Sequence, residues 1–101
     1  MGVLARYVKA AVEHKRYQIK YDNWLDTGEQ VASVTFAVNK VTVPPLVVDG
    51  IQNTADGLGV QYFVGGGLDG EDYIITATLI TNAVPTQTRI DDVFFSIREP
   101  V

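Results

Sequence analysis

Apolar and polar residues alternate along most of the chain with a period of two, which predicts β-strands that bury one face. Turn-forming Gly, Asn, Asp and Pro residues separate the alternating segments. The prolines Pro44 and Pro45 cannot donate to a ladder, so they confine the strand that follows them to a short segment. The pattern predicts strands at residues 15–21, 30–38, 46–48, 58–64, 73–81 and 89–98.

The alternation also predicts which side chains of each strand face the core. In segment 30–38, one face holds Ala32, Val34, Phe36 and Val38, which we expect to point inward. The opposite face of that segment holds Val31, Ser33, Thr35 and Ala37. In the last strand we expect Val93, Phe95 and Ile97 to share one side.

The first fourteen residues follow a different period. Their apolar residues recur every three or four positions: Val3, Leu4, Tyr7, Val8, Ala11 and Val12. This spacing favours a short amphipathic helix, but an uncapped helix of this length needs an apolar surface to lie against. An extended arm packed on its own domain is the equal alternative.

A glycine-rich turn before the fifth predicted strand is the most specific local signal. The glycines of segment 65–70 supply the positive φ angles of a tight reversal, and Tyr73 begins the strand that follows. A tyrosine there can bury its ring and return its hydroxyl to the turn backbone, which is the tyrosine corner of immunoglobulin-like sandwiches. We therefore expect Tyr73 to be a structural residue.

Six or seven short strands in 101 residues predict one all-β domain. The fold class that we predict is an antiparallel immunoglobulin/fibronectin-like β-sandwich of about seven strands, preceded by a basic arm or short helix. Residues 1–14 would be the N-terminal arm and residues 15–101 the sandwich domain. The chain has no cysteine, so disulfides and thiolate chemistry are excluded. No apolar run reaches the length of a membrane-spanning helix, and we expect an unsecreted protein.

Charge divides the chain unequally. Residues 1–20 carry five basic side chains against one acid, whereas residues 21–101 carry three against eleven. An acidic body repels nucleic-acid backbones, so we expect no nucleic-acid partner. A basic leader and an acidic body instead favour contact between copies or with another protein.

The sequence gives little support for catalysis. His14 is the only histidine, and no serine has the setting of a nucleophile elbow. The carboxylates Asp69, Glu71 and Asp72, with the pair Asp91 and Asp92, do not have the spacing of an EF-hand loop. We therefore expect no catalytic residue, no cofactor and no metal site, and we expect that the protein is not an enzyme.

Several motifs taken in order resemble a known family. They are the strand 17–25 that ends in Trp24 and Leu25, the segment 29–38, the glycine turn 65–73 with Thr81, and the closing segment 92–99. Together they resemble small immunoglobulin-like virion proteins of tailed bacteriophages, a family labelled fibre-to-tail adaptor, over residues 15–99. The resemblance implies a structural role in the virion and no active site.

The function that we expect is that of an adaptor or docking module in the tail, neck or baseplate, which joins fibres or neighbouring rings. Its partners would be other virion proteins and symmetry-related copies, with no membrane partner, and it would be made in the bacterial host cytoplasm. The predicted contact residues are Arg6, Tyr7, Lys9, Arg16 and Trp24. The alternative is a carbohydrate-binding or host-adhesion module, which requires Trp24 or Tyr62 to be exposed.

Overall fold

Seven strands make up most of residues 2–98, the part of the chain that the computed structural model describes. They are β1 (Gly2–Lys9), β2 (Lys15–Lys20), β3 (Val31–Val38), β4 (Leu46–Asn53), β5 (Gly59–Gly66), β6 (Asp72–Thr81) and β7 (Thr88–Ile97). Met1 and residues 99–101, the ends of the predicted arm and domain, lie outside the described residues, as do the side chains of residues 2–4. Residues 2–98 contain no helix.

The strands form two sheets that face each other. One has four strands in the order β1-β7-β6-β3, and the other has three in the order β2-β5-β4. All pairs are antiparallel except β1 and β7, which are parallel. The predicted all-β sandwich is therefore confirmed, with one parallel pair that the periodicity did not predict.

The first segment of the chain is extended and packs on its own domain, so over residues 2–9 the helical alternative is wrong and the extended alternative is confirmed. It forms β1, which pairs along β7 from Gly2 opposite Asp91 to Lys9 opposite Ile97. The free edge of β7 offers this short segment a ladder of hydrogen bonds that an isolated, uncapped helix lacks. Tyr7 and Lys9 point inward from β1, while Arg6 points outward. Whether residues 1–14 act as an arm separate from residues 15–101 stays a prediction.

Aromatic and branched side chains fill the space between the sheets. The most deeply buried, at 1% exposure or less, include Tyr62, Tyr73, Phe95, Ile75, Leu79, Val60 and Val64. The ring of Tyr17 lies edge-on to that of Phe95, with centroids 4.9 Å apart, and Phe36 lies 4.6 Å from Tyr62. Tilted and edge-on ring pairs of this kind add to the stabilisation that burial provides.

The start of β3 departs from the predicted alternation. Val31 is buried and Ala32 is exposed, the reverse of the expected orientation. The pairing with β6 shifts between Val31 and Ser33. An irregularity of this kind turns the strand over by one residue, so the faces exchange there. From Val34 onward the predicted inward face is the observed one.

Strand β4 is longer than the predicted segment 46–48. It continues to Asn53 through a register shift between Asp49 and Gln52. Gly50 lies within that shift at a φ of 59°, and a Cβ there would lie only 2.7 Å from the ring of Phe63. A glycine is therefore required where β4 bends over β5.

The turn before β6 is tied to the sandwich by Tyr73. Its ring is 1% exposed, and its hydroxyl accepts a hydrogen bond of 2.9 Å from the backbone N–H of Leu68. The hydroxyl of Thr42, in the loop between β3 and β4, lies 2.5 Å from the Tyr73 hydroxyl. One side chain thus fixes two loops at the same end of the molecule.

Candidate docking surface

The outer face of the four-stranded sheet presents one row of side chains across three strands and the residue that follows the fourth. Arg6 on β1 lies opposite Phe94 on β7, and Phe94 lies opposite Ile74 on β6. Asn39, directly after β3, completes the row: its N–H donates to the Ile74 carbonyl over 3.0 Å, and its Oδ1 accepts from the Ile74 N–H over 2.9 Å. These four side chains form what we call the Arg6–Asn39 row.

Arg6 is the charged member of the row. Its guanidinium carbon lies 4.3 Å from the centroid of the Phe94 ring, a cation–π contact. The structure records no ion pair for Arg6 among residues 2–98. Val8, two residues further along β1, is 57% exposed on the same face. A cation next to apolar side chains therefore faces solvent here.

A concavity of about 530 Å³ opens beside this row. Arg6, Val8, Ile74, Phe94 and Asn39 contribute to its lining. Both Phe94 and Ile74 are half-buried, which leaves part of each available to a ligand. Its volume lies within the range of pockets that hold ligands, and its lining combines apolar side chains with a few polar groups.

Two of the predicted contact residues point into the sandwich. Tyr7 packs its ring against those of Tyr17 and Phe95, with centroids 4.6 and 5.2 Å away. Lys9 is fully buried, and its Nζ donates to the carbonyls of Ala10 and Gly66, each over 2.7 Å. Lys9 thus links β1 to the opposite sheet.

The other two predicted contact residues lie away from the Arg6–Asn39 row. Arg16 is exposed on β2, paired with Phe63 in the three-stranded sheet. Trp24 is half-buried in the loop after β2, under the guanidinium of Arg89 at 5.6 Å from the ring centroid. Arg89 also donates to the buried carboxylate of Asp91 over 2.5 Å. The structure therefore does not bring the five residues together, and their role in contacts stays a prediction.

The acidic turn residues make ion pairs within the chain. Glu71 pairs with Lys40 and Asp72 with Arg98, each over 2.9 Å. The Ser96 hydroxyl and the Arg98 guanidinium lower the pKa of Asp72. Over residues 2–98 no group of three or more potential ligands that could hold a metal ion occurs.

His14 contacts the three-stranded sheet and not the acidic turn before β6. It is exposed, with Nε2 2.9 Å from Oδ1 of Asp49. Its ring stacks on that of Phe63, with centroids 5.0 Å apart and an angle of 18°. The histidine thus connects the loop after β1 to the outer face of the three-stranded sheet.

The carbohydrate-binding alternative requires Trp24 or Tyr62 to be exposed, and one of the two is buried. Tyr62 is 1% exposed, because its ring fills the core against Phe36. Trp24 remains half-buried beside a small cavity of about 200 Å³ that Arg89 also lines. No observation favours this alternative over a protein-docking role.

Phe94 and Ile74 were not among the contact residues predicted from the sequence. The signal was present in the adjacent pair Phe94 and Phe95, because neighbouring residues of a strand point to opposite faces. If Phe95 is in the core, Phe94 must lie on the outer face. Two large apolar residues in succession in a strand therefore indicate that one of them lies on the outer face.

Comparison with known proteins gives one family. A family model described as Podophage GP4 fiber-tail adaptor protein gp77 matches residues 9–98. None of the curated proteins compared with the chain matches it. Among the residues that the structure describes, no helix is long and apolar enough to cross a membrane.

Proposed function

The chain belongs to the podophage GP4 fiber-tail adaptor family gp77, and on this premise we propose that it docks onto a neighbouring virion protein through the outer face of its four-stranded sheet. The role of the family is structural, and the chain is an adaptor of the phage tail. An adaptor needs a surface that a partner can cover. The Arg6–Asn39 row and its concavity are the surface that we assign to this contact.

The observation that carries the proposal is the combination of apolar side chains and an ionic group at one concave site. Phe94, Ile74 and Val8 supply apolar area, and Arg6 supplies a guanidinium held over an aromatic ring. Aromatic and arginine side chains are the residues that most often dominate the energy of protein interfaces. A partner carboxylate placed over Arg6 and an apolar side chain placed in the concavity would complete the contact.

Charge also suggests how copies could meet. Arg6 is the one cation of residues 5–20 on the outer face of the four-stranded sheet, and residues 21–101 carry an excess of acids, so Arg6 of one copy would pair with an exposed carboxylate of the next. Contacts between unlike patches generate rings when the rotation closes. We propose that several copies assemble in this head-to-tail way in the virion, alongside fibre, tail, neck or baseplate proteins.

We also propose which activities and partners the protein lacks and where it is made. We propose that it is not an enzyme, that it contacts neither nucleic acid nor membrane, and that it is made in the cytoplasm of the bacterial host before it enters the virion. The acidic charge of residues 21–101 supports the first of these partner exclusions.

The test is charge reversal at Arg6. The purified full chain is bound to phage particles assembled without it, and sedimentation measures the bound fraction at low and high salt. The variant Arg6→Glu should weaken binding about 10-fold at low salt. The matched control is Lys20→Glu, which changes the net charge equally but lies at the end of β2 in the other sheet.

Three results are distinguishable. Loss of binding for Arg6→Glu alone supports the outer face as the docking surface. Equal loss for both variants means that only net charge matters, and no loss for either means that the surface lies elsewhere. A point variant is preferable to deletion of residues 1–14, because that deletion removes β1 and the buried Lys9 from the sandwich.

A further inference from the structure

The two sheets of this sandwich end in four edge strands. These are β1 and β3 in the four-stranded sheet and β2 and β4 in the three-stranded sheet. An edge strand presents unpaired backbone N–H and C=O groups, which can pair with another chain. Natural proteins block such pairing with charged side chains, prolines or bulges.

Three of the four edges carry such protection. Strand β2 contains Lys15, Arg16 and Lys20 within six residues. Strand β1 contains Arg6 and Lys9 and has a register shift near its start. Strand β4 contains Asp49 and bends at its own register shift.

Strand β3 is different. Its eight residues, VASVTFAV, include no charge, no proline and no glycine. Its beginning is covered, because the Val31 N–H donates to the Gly57 carbonyl over 2.8 Å and the Asn53 side chain donates to the Val31 carbonyl over 3.2 Å. Beyond that point β6 is its only strand partner within residues 2–98. An edge of six residues, 33–38, is therefore open.

The hydrogen-bond register shows which groups this edge offers. Asn39 donates its N–H to the Ile74 carbonyl. Because backbone groups of an antiparallel strand alternate between its two sides, Ala37 and Thr35 direct theirs toward β6. The N–H and C=O groups of Val34, Phe36 and Val38 therefore point away from the sheet.

The core beneath this edge is incompletely covered. Phe36 and Val38 on β3 and Val48 on β4 pack against the core but remain half-buried. On the next strand, β6, the inward residues Ile75 and Leu79 are fully buried. A strand added beside β3 would both pair its backbone and cover these three side chains.

We propose that the free edge of β3 receives an extended segment of another virion protein, which adds a fifth strand to the four-stranded sheet. This inference rests on the proposed adaptor function for the kind of partner. Addition of a strand gains affinity from main-chain hydrogen bonds and specificity from alternate side chains. The segment that fits is uncharged, with apolar residues over Phe36 and Val38 alternating with small polar residues that continue the Thr35 face.

A different protein fits this edge better than a second copy. Pairing two copies through β3 would bring together two bodies that each carry an excess of acids over residues 21–101. Like charges brought together oppose association. An edge closed on its own copy would also be lost to a fibre or tail protein, whereas an adaptor must join different components.

The test uses two variants with the same substitution, one on the edge strand β3 and one on its neighbour β6. Thr35 on β3 and Thr78 on β6 lie directly opposite each other. Both lie four residues along their strands from the Arg6–Asn39 row, so neither belongs to the docking surface assigned above. Thr35→Lys puts a charge on the open edge, whereas Thr78→Lys puts the same charge inside the sheet, between two paired strands. A third variant, Val38→Pro, removes one N–H that points away from the sheet.

Binding of each full-length variant to particles assembled without the chain is measured by sedimentation, after thermal unfolding has shown that the variants fold. Thr35→Lys and Val38→Pro should each weaken binding about 10-fold or more, and Thr78→Lys should stay within about 2-fold of the unmodified chain. Equal binding by all variants, or equal loss for both lysine variants, would overturn the edge proposal while leaving the adaptor role intact. No binding by the unmodified chain would overturn both.

Two further measurements do not depend on the particles. In the free chain, amide hydrogen exchange should be faster at Val34, Phe36 and Val38 than at Thr35 and Ala37; equal protection would overturn the open edge. Light scattering should show that the unmodified chain forms no dimer through β3, which means no dimer that the Thr35→Lys variant would dissociate. Such a dimer would overturn the assignment of the edge to another protein, because the occupant would then be a second copy.

Discussion

The two long sides of the sandwich are built differently. On the side of β1 and β2, the rings of Tyr7 and Tyr17 meet at 4.6 Å, and Phe95 beside them is fully buried. On the side of β3 and β4, Phe36, Val38 and Val48 face the core but remain half-buried. We call these the closed side and the open side.

The closed side is also crossed by polar bonds. Buried Lys9 extends from β1 to the Gly66 carbonyl of β5, so it links the two sheets directly. On the open side the comparable link joins neutral groups: β3 carries no charge, and the Asn53 side chain of β4 donates to the Val31 carbonyl over 3.2 Å. The closed side is closely packed, whereas the open side retains half-buried apolar side chains and free backbone groups, which we propose that a partner covers.

The largest effect on stability is expected from replacing a core phenylalanine by alanine, and its size should differ between the two sides. Phe95→Ala removes a fully buried ring and should lower the free energy of unfolding by about 3–5 kcal/mol. Phe36→Ala removes a half-buried ring and should cost about half as much, because part of its surface is already in water. Urea denaturation of both variants measures the difference, and equal losses would contradict the division into closed and open sides.

A smaller effect on stability is expected at the loop 39–45, which joins β3 to β4 on the open side. Tyr73→Phe removes the hydroxyl that accepts from Leu68 and contacts Thr42, and it should cost about 0.5–1.5 kcal/mol because the part-buried Leu68 N–H loses its acceptor. Thr42→Val should cost less, since the bond to Leu68 remains. Chemical denaturation checks both values, and faster amide exchange in the loop 39–45 of both variants would show that Tyr73 fixes it. A larger loss for Thr42→Val than for Tyr73→Phe would refute this account.

The smallest effect concerns Tyr21, which directly follows β2. Burial, with the carboxylate of Asp91 as a second cause, raises the pKa of Tyr21 to about 12. An unfolded tyrosine loses its proton near pH 10. Above that pH the unfolded chain binds fewer protons than the folded chain, so the titration of Tyr21 leaves stability unchanged below about pH 10 and lowers it as the pH rises toward 12.

The variant Tyr21→Phe tests this directly. The Tyr21 hydroxyl is buried and has no hydrogen-bond partner among residues 2–98, so its removal should raise stability at neutral pH by up to about 1 kcal/mol. The variant should also lose less stability between about pH 9 and about pH 11 than the unmodified chain. Denaturant unfolding at neutral pH and at the two alkaline pH values measures both effects. If the variant lost as much stability at alkaline pH as the unmodified chain, the loss would belong to other tyrosines.

The positions of most strands could be predicted because each is specified by its own neighbours. Tyr17 and Ile19 alternate with polar residues over a single strand, and period-two alternation needs no information from elsewhere. The docking surface could be predicted only in part. Arg6 was identified from the charge of its segment. Phe94 could also have been placed on the outer face from its neighbour Phe95, but that these residues and Ile74 form one row could not, because the row joins residues that are far apart in sequence.

The helical alternative for the first segment and the predicted faces of Val31 and Ala32 were wrong for one physical reason. Residues 2–9 have a helical spacing of apolar side chains, yet they are extended because β7 presents a free edge to them. Val31 and Ala32 exchange faces because the pairing with β6 shifts beside them. In each case the hydrogen-bond partner on another strand overrides the local period.

The sequence by itself therefore determined the all-β class, the places where most strands lie, the turn that ends at Tyr73 and the unequal distribution of charge. All of these depend on residues within a few positions of one another. The tertiary structure alone decided that β1 joins the sandwich, that Lys9 is buried, and that β3 is left as an open edge. Strand order and register bring distant residues together, and only that pairing determines which backbone groups and side chains remain free.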